Sequence, residues 1–155
     1  MQTVRLDEID WKILNQLQSD GRITNVELAR RVGISPPPCL RRVRALEEAG
    51  VIHGYRALLD APKLGFEVSG FAFVGLHNQA ESDLIDFVER TDSWAIVREC
   101  YMQSGEFDFI LRCVAADLTE FQNFIIGDLT ATPNVDNVRT SLTIRRTKYA
   151  PGVPI

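Results

Sequence analysis

Apolar residues recur at helical spacing along the first fifty positions of the chain. In residues 7–20 they form one face of a helix for which Asp7 is a suitable N-cap. Two further short helices are expected, joined by a tight turn at Gly33. The pattern therefore predicts three helices before residue 50.

The second and third helices carry clear start signals. Thr24 and Glu27 have the spacing of a capping box, in which each side chain binds the other residue's backbone N–H. The third helix opens at Ser35 as its N-cap, with Pro36 at the first helical position. The two prolines that follow also fall in the first turn, where N–H groups have no partner within the helix. The three prolines stiffen the start of this helix without breaking it.

The third helix has an apolar side and a basic side. Cys39, Val43 and Leu46 recur at i, i+4 and i+7 as its buried stripe, whereas arginines occur at positions 41, 42 and 44. A positively charged helix held over a second helix is a helix-turn-helix, which places its second helix in the DNA major groove. The sequence therefore predicts binding to double-stranded DNA.

The start of the third helix provides the expected DNA contacts. With the apolar stripe inward, its outward residues reach base edges, while Ser35 and the free N–H groups of the first turn can cradle a phosphate. The arginines of the second helix are placed for backbone phosphates. The predicted DNA-binding residues are Thr24, Arg30, Arg31, Ser35, Pro37, Pro38, Arg41 and Arg42. The alternative is that the arginines form only a solvated helical face.

Residues 66–150 alternate strand and helix signals in the order β-α-β-β-α-β, the ferredoxin-like split arrangement. Strands are expected at residues 68–77, 94–103, 107–115 and 135–144, and helices at 82–91 and 118–129. The predicted fold class is α+β, an N-terminal (winged) helix-turn-helix followed by a ferredoxin-like βαββαβ domain. An extended segment at residues 51–59 would supply the wing. The expected domains are residues 1–60 and 67–155, with a linker at 61–66.

Both faces of the first predicted strand are apolar. Phe71 and Phe73 alternate with Ala72 and Val74, although helices can cover only one face of the sheet. The open face requires a second cover, most simply another copy of the chain. We therefore expect a homodimer, which would also present two helix-turn-helix units to a two-fold-symmetric DNA site.

The net charge of −4 averages two different halves of the chain. Residues 1–60 hold nine Lys/Arg and eight Asp/Glu, whereas residues 61–155 hold eight and thirteen. Between Arg22 and Arg44, six arginines accompany a single acid, Glu27. A local basic patch on an acidic chain is typical of a DNA-binding module attached to another domain.

Other classes of protein are not favoured by the sequence. No apolar run approaches the roughly 20 residues of a membrane span, and the first ten residues do not resemble a signal peptide, so we expect a cytoplasmic protein without membrane association. Three cysteines without CxxC spacing and two histidines indicate no disulfide framework, metal site or cofactor. No catalytic set is grouped, so an enzyme is not expected. An RNA-binding module has the same β-α-β-β-α-β order, but its basic-glycine-aromatic signature is missing.

Four runs of residues resemble the Lrp/AsnC (leucine-responsive, feast/famine) family of transcription factors. They are LDEIDWKILNQLQSDGR, TNVELARRVGISPPPCLRRVRALEEAGVI, GYRALLD and SGEFDFIL, and the resemblance spans residues 6–147. It implies a helix-turn-helix, a C-terminal domain that takes an amino acid as effector, and dimers that assemble further, for example as a tetramer of dimers (octamer). The implied function is sequence-specific regulation of amino-acid metabolism genes. A ligand-independent architectural DNA-binding protein is the alternative. Pro37 and Arg41 depart from the residues usual in the family, and the extra arginine can alter operator preference.

The resemblance also implies an effector position between subunits, near the Gly105 turn and the start of the last strand. Gly105 lacks a Cβ, so backbone N–H groups can approach an α-carboxylate, and Asp108 or Asp136 can accept from an α-ammonium. The expected effector-binding residues are Met102, Ser104, Gly105, Glu106, Asp108, Asn134, Asp136, Thr140 and Ser141. The alternative is that residues 104–108 are merely a tight turn.

Overall fold

The computed structural model describes residues 5–155, which form two compact units. The first unit contains the chain up to Leu58 together with the segment Tyr149–Ile155, and the second contains Leu59–Lys148. Residues 1–4 of the predicted first domain lie outside the described residues. Within the described part of the chain, no helix is both long enough and apolar enough to cross a membrane.

Three helices build the first unit: α1 (Glu8–Ser19), α2 (Asn25–Val32) and α3 (Pro36–Glu48). They confirm the predicted helix-turn-helix and its covering helix. α2 ends at Gly33, whose φ of 79° is left-handed and suits a residue without a Cβ. The buried core of the unit consists of Ile13, Leu28, Ala29, Val32, Cys39, Val43 and Leu46.

The helix caps differ from the prediction in two respects. The Asp10 N–H donates to the Asp7 carboxylate at 2.9 Å, and the Asp7 N–H donates to the Asp10 carboxylate at 3.1 Å. The N-terminus of α1 therefore has a complete capping box. Thr24 accepts from the N–H of Glu27 at 3.3 Å, but the Glu27 carboxylate binds arginines of the next turn instead of reaching back. The predicted capping box of α2 is therefore only half formed. Ser35 occupies the N-cap position of α3, yet its hydroxyl makes no cap hydrogen bond.

The chain after α3 has neither helix nor strand until the 3₁₀ turn Pro62–Leu64, which lies in the predicted linker. The segment at residues 51–59, which was expected to be extended, does not form a β-strand. The described part of the first unit contains no strand with which it could pair.

The second unit contains a four-stranded sheet with helices between the strands. Its elements are β1 (Val68–Leu76), α4 (Glu81–Thr91), β2 (Val97–Met102), β3 (Phe109–Ala115), α5 (Leu118–Asn123), the π-helical segment Phe124–Leu129 and β4 (Val135–Leu142). The strand order is β2-β3-β1-β4, and every neighbouring pair is antiparallel. The predicted βαββαβ arrangement and α+β fold class are confirmed.

The two faces of the sheet have different surroundings within the second unit. The inner face packs against the helices through a buried core of Ala72, Val74, Leu76, Phe87, Phe109, Leu111, Cys113, Ala115, Phe121, Phe124 and Leu129. The outer face carries Phe71 and Phe73, which are only partly buried. Opposite them on β3 lie Arg112 and Ile110. We call this surface the open sheet face.

Two strands begin later than predicted. β2 begins at Val97 because the residues before it form a turn, in which the N–H of Val97 donates to the carbonyl of Trp94 at 2.9 Å. The Trp94 ring packs edge-on against Phe87 and Phe124, with ring centroids 6.2 and 5.3 Å away. Phe107 precedes β3 and packs on the ring of Phe73 at 5.7 Å. The next residue, Asp108, already donates its N–H to the carbonyl of Val74 at 2.9 Å and accepts from the N–H of Gln103 at 2.8 Å, so main-chain pairing begins directly after Phe107.

The segment Tyr149–Ile155, here called the return segment, belongs to the first unit and not to the second, where its position in the sequence had placed it. Its main chain accepts hydrogen bonds from Asn15 and Gln18 of α1. The two residues of each contact are separated by 140 and 135 positions in the sequence, respectively, so no local sequence pattern could predict these contacts.

Candidate nucleic-acid interface and effector site

The outer side of α3 is an exposed basic surface. Because the apolar stripe of α3 is buried, the residues opposite to it point away from the core. Arg41 and Arg44 are exposed there and have no ion-pair partner among the described residues. An open concavity of about 290 Å³ is lined by Pro37, Leu40, Arg41, Arg44, Ala45 and Glu48. Sequence reasoning omitted Arg44, although its i+3 spacing from Arg41 places both on one face.

Arg42 is engaged inside the first unit. Its guanidinium donates to Asp7 at 2.7 Å and to Asp10 at 2.8 Å, and 35% of the side chain is exposed. The hydrogen bonds to Asp10 and then to Asp7 raise the pKa of Arg42. Arg42 was a predicted DNA contact, but the structure turns it towards the capping box of α1.

Two arginines and Glu27 form a cluster on α2. Arg30 binds the Glu27 carboxylate through two nitrogens at 2.7 and 2.6 Å, and Arg31 adds a contact at 2.7 Å. These hydrogen bonds, that from Arg30 first, lower the pKa of Glu27 to about 2. The Arg30 and Arg31 side chains remain 71% and 42% exposed, so both can still meet a phosphate.

The turn between α2 and α3 is held by a contact that sequence reasoning missed. Asn25 donates its side-chain amide to the carbonyl of Pro36 at 2.9 Å, which ties α2 to the first turn of α3. The Thr24 hydroxyl caps α2 by accepting a hydrogen bond from its first turn, whereas the Ser35 hydroxyl makes no cap hydrogen bond with α3. Pro38, in the first turn of α3, is partly buried.

The turn between β2 and β3 contains the first group of predicted effector residues. Gly105 has a φ of 156°, and a Cβ built there would meet no atom within 4 Å, so the backbone conformation and not space favours glycine. Met102 and Ser104 are exposed beside it. The Asp108 carboxylate accepts from the N–H of Leu76 at 2.7 Å. Asp108 therefore fixes the end of β1 to the turn.

The start of β4 contains the second group. Asn134 has a φ of 68°, and its side-chain amide exchanges two hydrogen bonds with the main chain of Asn78, at 2.9 and 2.8 Å. Asp136 contacts Nδ1 of His77 at 3.0 Å. Both contacts join β4 to the residues that follow β1.

The structure brings most but not all of these residues together within one chain. Glu106 accepts from Arg139 at 3.2 Å, which links the turn to β4. Thr140 and Ser141 pair with the middle of β1, whereas Asp108 contacts its end. Along β1, the partner of Thr140 (Ala72) and the partner of Asp108 (Leu76) are four residues apart, which corresponds to about 13 Å.

Two family models match the chain. The model for a winged helix-turn-helix DNA-binding domain matches residues 6–53, and the model for the Lrp/AsnC ligand-binding domain matches residues 69–153. The second match alone covers more than half of the chain. The chain belongs to the Lrp/AsnC family.

Curated Lrp/AsnC relatives match over nearly their whole length. The leucine-responsive regulatory protein of Rhizobium meliloti is 63% identical over 152 residues, covering 98% of this chain and 97% of the relative. The transcriptional regulator AzlB of Bacillus subtilis is 37% identical with the same coverage. Together with the match to a helix-turn-helix DNA-binding domain, these relatives identify the chain as a DNA-binding transcriptional regulator of the Lrp/AsnC family.

Solved Lrp/AsnC structures share the fold of this chain. A transcriptional regulator of Neisseria meningitidis, solved as a complex with L-methionine, has a TM-score of 0.92 and 35% identity, with 97% of each chain covered. Escherichia coli AsnC, at 23% identity, matches the fold with a TM-score of 0.85 over 94% of this chain and 97% of its own.

The cysteines of this Lrp/AsnC chain are free thiols, and two of them are buried. Burial raises the pKa of Cys113 to about 12 and also raises the pKa values of Cys39 and Cys100. Thiolate character is therefore low near neutral pH. Among residues 5–155, no three His, Cys, Asp or Glu side chains are grouped as a metal would require.

Proposed function

We propose that this protein is a sequence-specific regulator of transcription whose assembly or operator affinity responds to an amino acid. The observation that carries the proposal is the unpaired basic face of α3, presented by a rigid three-helix unit and joined in one chain to an Lrp/AsnC ligand-binding domain. Genes of amino-acid metabolism are the proposed targets, since amino-acid concentration would then control its own supply.

Arg41 leads the proposed base-contacting set, with Arg44 one turn further along the same face. A guanidinium can donate two hydrogen bonds to guanine in the major groove. Thr24, Arg30, Arg31, Ser35, Pro37 and Pro38 are proposed to position the helix against the backbone and groove. We assign Arg42 a different role from that predicted: it holds α3 on α1 through Asp7 and Asp10.

The effector is proposed to be an amino acid bound at the Gly105 turn. The turn offers main-chain groups beside an uncrowded glycine, and acidic side chains at Glu106, Asp108 and Asp136 lie at the same end of the sheet. Asp108 and Asp136 already have partners, so an α-ammonium would share or displace these contacts. Met102, Ser104 and Asn134 would border the ligand. Thr140 and Ser141, about 13 Å along the sheet, would contribute from a second copy of the chain.

The open sheet face is proposed to be the dimer interface. Phe71, Phe73 and Ile110 leave a partly exposed apolar surface, crossed by the Arg112–Glu99 ion pair at 2.7 Å. Such a surface, flanked by charges, is suited to a second copy. Further assembly to a tetramer of dimers is the proposed complete state.

Two measurements test the proposal. The wild-type protein would first be used to select duplexes from a random-sequence pool; we expect enrichment of one motif with two-fold symmetry, and failure to enrich any motif would contradict sequence-specific binding. Sedimentation velocity would then be run with each of the twenty amino acids. We expect one or a few of them to change the sedimentation coefficient. An unresponsive species that still selects a motif would indicate the ligand-independent architectural protein.

A further inference from the structure

The return segment lies in a groove of the first unit and is bound there by its main chain. Gln18 of α1 accepts from the N–H of Val153 at 2.9 Å and donates to the carbonyl of Val153 at 2.7 Å. One side-chain amide thus pairs with both polar groups of one residue, as a neighbouring strand would. Asn15, one turn earlier, donates to the carbonyl of Ile155 at 2.7 Å.

Gly152 permits this close approach. Its φ of 102° lies in the region that favours glycine. A Cβ built at this position would come within 2.6 Å of the Gln18 Cδ atom and would collide with the side-chain amide. The backbone conformation therefore requires glycine at the residue before the paired one, and a Cβ there would also push the flexible end of Gln18 out of its paired position.

Beside the bound return segment, a largely apolar cavity of about 440 Å³ remains open in the groove. Its walls are built by α1 and by the residues after α3, chiefly Trp11, Leu14, Leu17, Val51, Ile52 and Tyr55. Val153 and Ile155 complete the lining. No described residue of α2 or α3 contributes to it, so occupation of the groove leaves the basic face of α3 uncovered.

We propose that this groove is a peptide-docking site whose occupant is the return segment of the same chain. The chain leaves the first unit after Leu58 and rejoins it at Tyr149. Docking therefore attaches the second unit to the helix-turn-helix unit at both of its ends. Release of the segment would leave only the connection after Leu58.

The consequence for DNA concerns two-site binding, and it rests on the proposed function. Two attachments restrict the positions that each helix-turn-helix unit can reach within a dimer. A restricted pair has a higher effective concentration at the second half-site once the first half-site is bound. Docking is thus expected to strengthen binding to a complete operator without changing the contacts within one half-site.

Hydrogen exchange at the Val153 amide tests the docking directly. In the full-length wild-type protein we expect this amide to be protected. Gln18→Ala and Gly152→Ala are each expected to accelerate its exchange at least about tenfold, because both break the paired hydrogen bonds. Gln122→Ala, an exposed glutamine of α5, is the matched control and should leave the rate unchanged. Wild-type exchange at the rate of an unstructured peptide, or equal rates in Gln18→Ala and Gln122→Ala, would overturn the proposal.

A mixture of the two variants tests whether docking occurs within one chain. Gln18→Ala disrupts the groove but leaves the return segment intact, whereas Gly152→Ala disrupts the return segment but leaves the groove intact. A dimer of one variant with the other therefore contains one intact groove and one intact return segment, on different chains. Same-chain docking predicts that co-refolded mixtures show no protected Val153. Reappearance of protection in the mixture would overturn same-chain docking.

Affinities for two-site and single-site duplexes test the effect of docking on DNA binding separately from the proposed function. Duplexes selected by the wild type would be prepared with both half-sites and with one half-site. Gln18→Ala and Gly152→Ala are expected to lose about tenfold or more in affinity for the two-site duplex while keeping wild-type affinity for the single site. An equal loss on both duplexes would overturn the attachment role. Failure of the wild type to bind either duplex would contradict the proposed function while leaving Val153 protection intact.

Discussion

The two units of this protein carry their candidate sites in different ways. In the first unit, the basic face is presented by a single helix, and neighbouring residues along the chain define it. In the second unit, the effector region gathers residues from a turn and two strands, held by contacts such as Asp108 with Leu76 and Asn134 with Asn78. A DNA-reading surface can be built from local periodicity, whereas a ligand site depends on how distant strands are packed.

The largest expected effect comes from the core that positions the effector region. Phe109 is fully buried and packs on Phe87 with ring centroids 4.6 Å apart. Phe109→Ala should destabilise the second unit by about 3–5 kcal/mol through lost burial and the cavity left behind. Urea denaturation would measure it, with Ile85→Ala, a half-exposed residue of the same unit, as control at under about 1 kcal/mol. Equal losses in both variants would show that the inner face of the sheet is not the core.

Arg41 and Arg42 are adjacent in sequence but are proposed to have different roles. Arg41 would contact DNA, whereas Arg42 would hold α3 against α1. Arg41→Ala should weaken binding to the selected duplex about tenfold at fixed salt and leave thermal unfolding unchanged. Arg42→Ala should lower the thermal midpoint, since it leaves Asp7 and Asp10 without their cation.

A double-mutant cycle between Arg42→Ala and Asp10→Asn supplies the control for this pair. Coupling is expected in thermal unfolding because the two side chains touch. Strictly additive effects, or an Arg41→Ala protein that binds like the wild type, would contradict the assignment of roles.

Thr24 and Ser35 occupy equivalent N-cap positions on the two helices of the motif, yet only Thr24 makes a cap hydrogen bond. Thr24→Ala should cost about 1 kcal/mol of stability. Ser35→Ala should cost less than this while weakening DNA binding, if the free hydroxyl meets a phosphate. Denaturation and duplex titration on the same samples would decide; a larger stability loss in Ser35→Ala would contradict the cap geometry.

The smallest expected effect is a pH dependence of the first unit. The pKa of Glu27 falls from 4.5 to about 2 on folding because Arg30 and Arg31 bind its carboxylate. A lowered folded-state pKa adds stability that is complete above pH 4.5 and is lost as the pH falls towards 2. The difference in thermal midpoint between wild type and Glu27→Gln should therefore shrink across this window. A difference that is constant from pH 6 to pH 2 would exclude the ion-pair contribution.

Much of the fold could be predicted because its signals are local. The Ser35–Pro36 start, the left-handed turn at Gly33 and the alternation along β1 each depend on a few neighbouring residues. The wheel of α3 also identified its outward side, although it could not distinguish Arg41 from Arg42. That distinction depends on Asp7 and Asp10, which lie 35 and 32 positions away.

The remaining contacts were not predictable because they join side chains to distant main-chain groups. Gln18 is an ordinary polar residue of α1 until Val153 is placed beside it, 135 positions later. Asn134 likewise pairs with Asn78 across 56 positions. Periodicity determines which face is buried, but it does not determine which exposed amide meets which peptide group.

The most direct test of the proposed function is a titration of the selected two-site duplex with the wild-type protein. Fluorescence anisotropy at fixed salt would give Kd without ligand and with each of the twenty amino acids in turn. One or a few amino acids are expected to shift Kd by about 5- to 150-fold, the usual range for coupling between two sites. A Kd that stays the same with all twenty would contradict an amino-acid-responsive regulator.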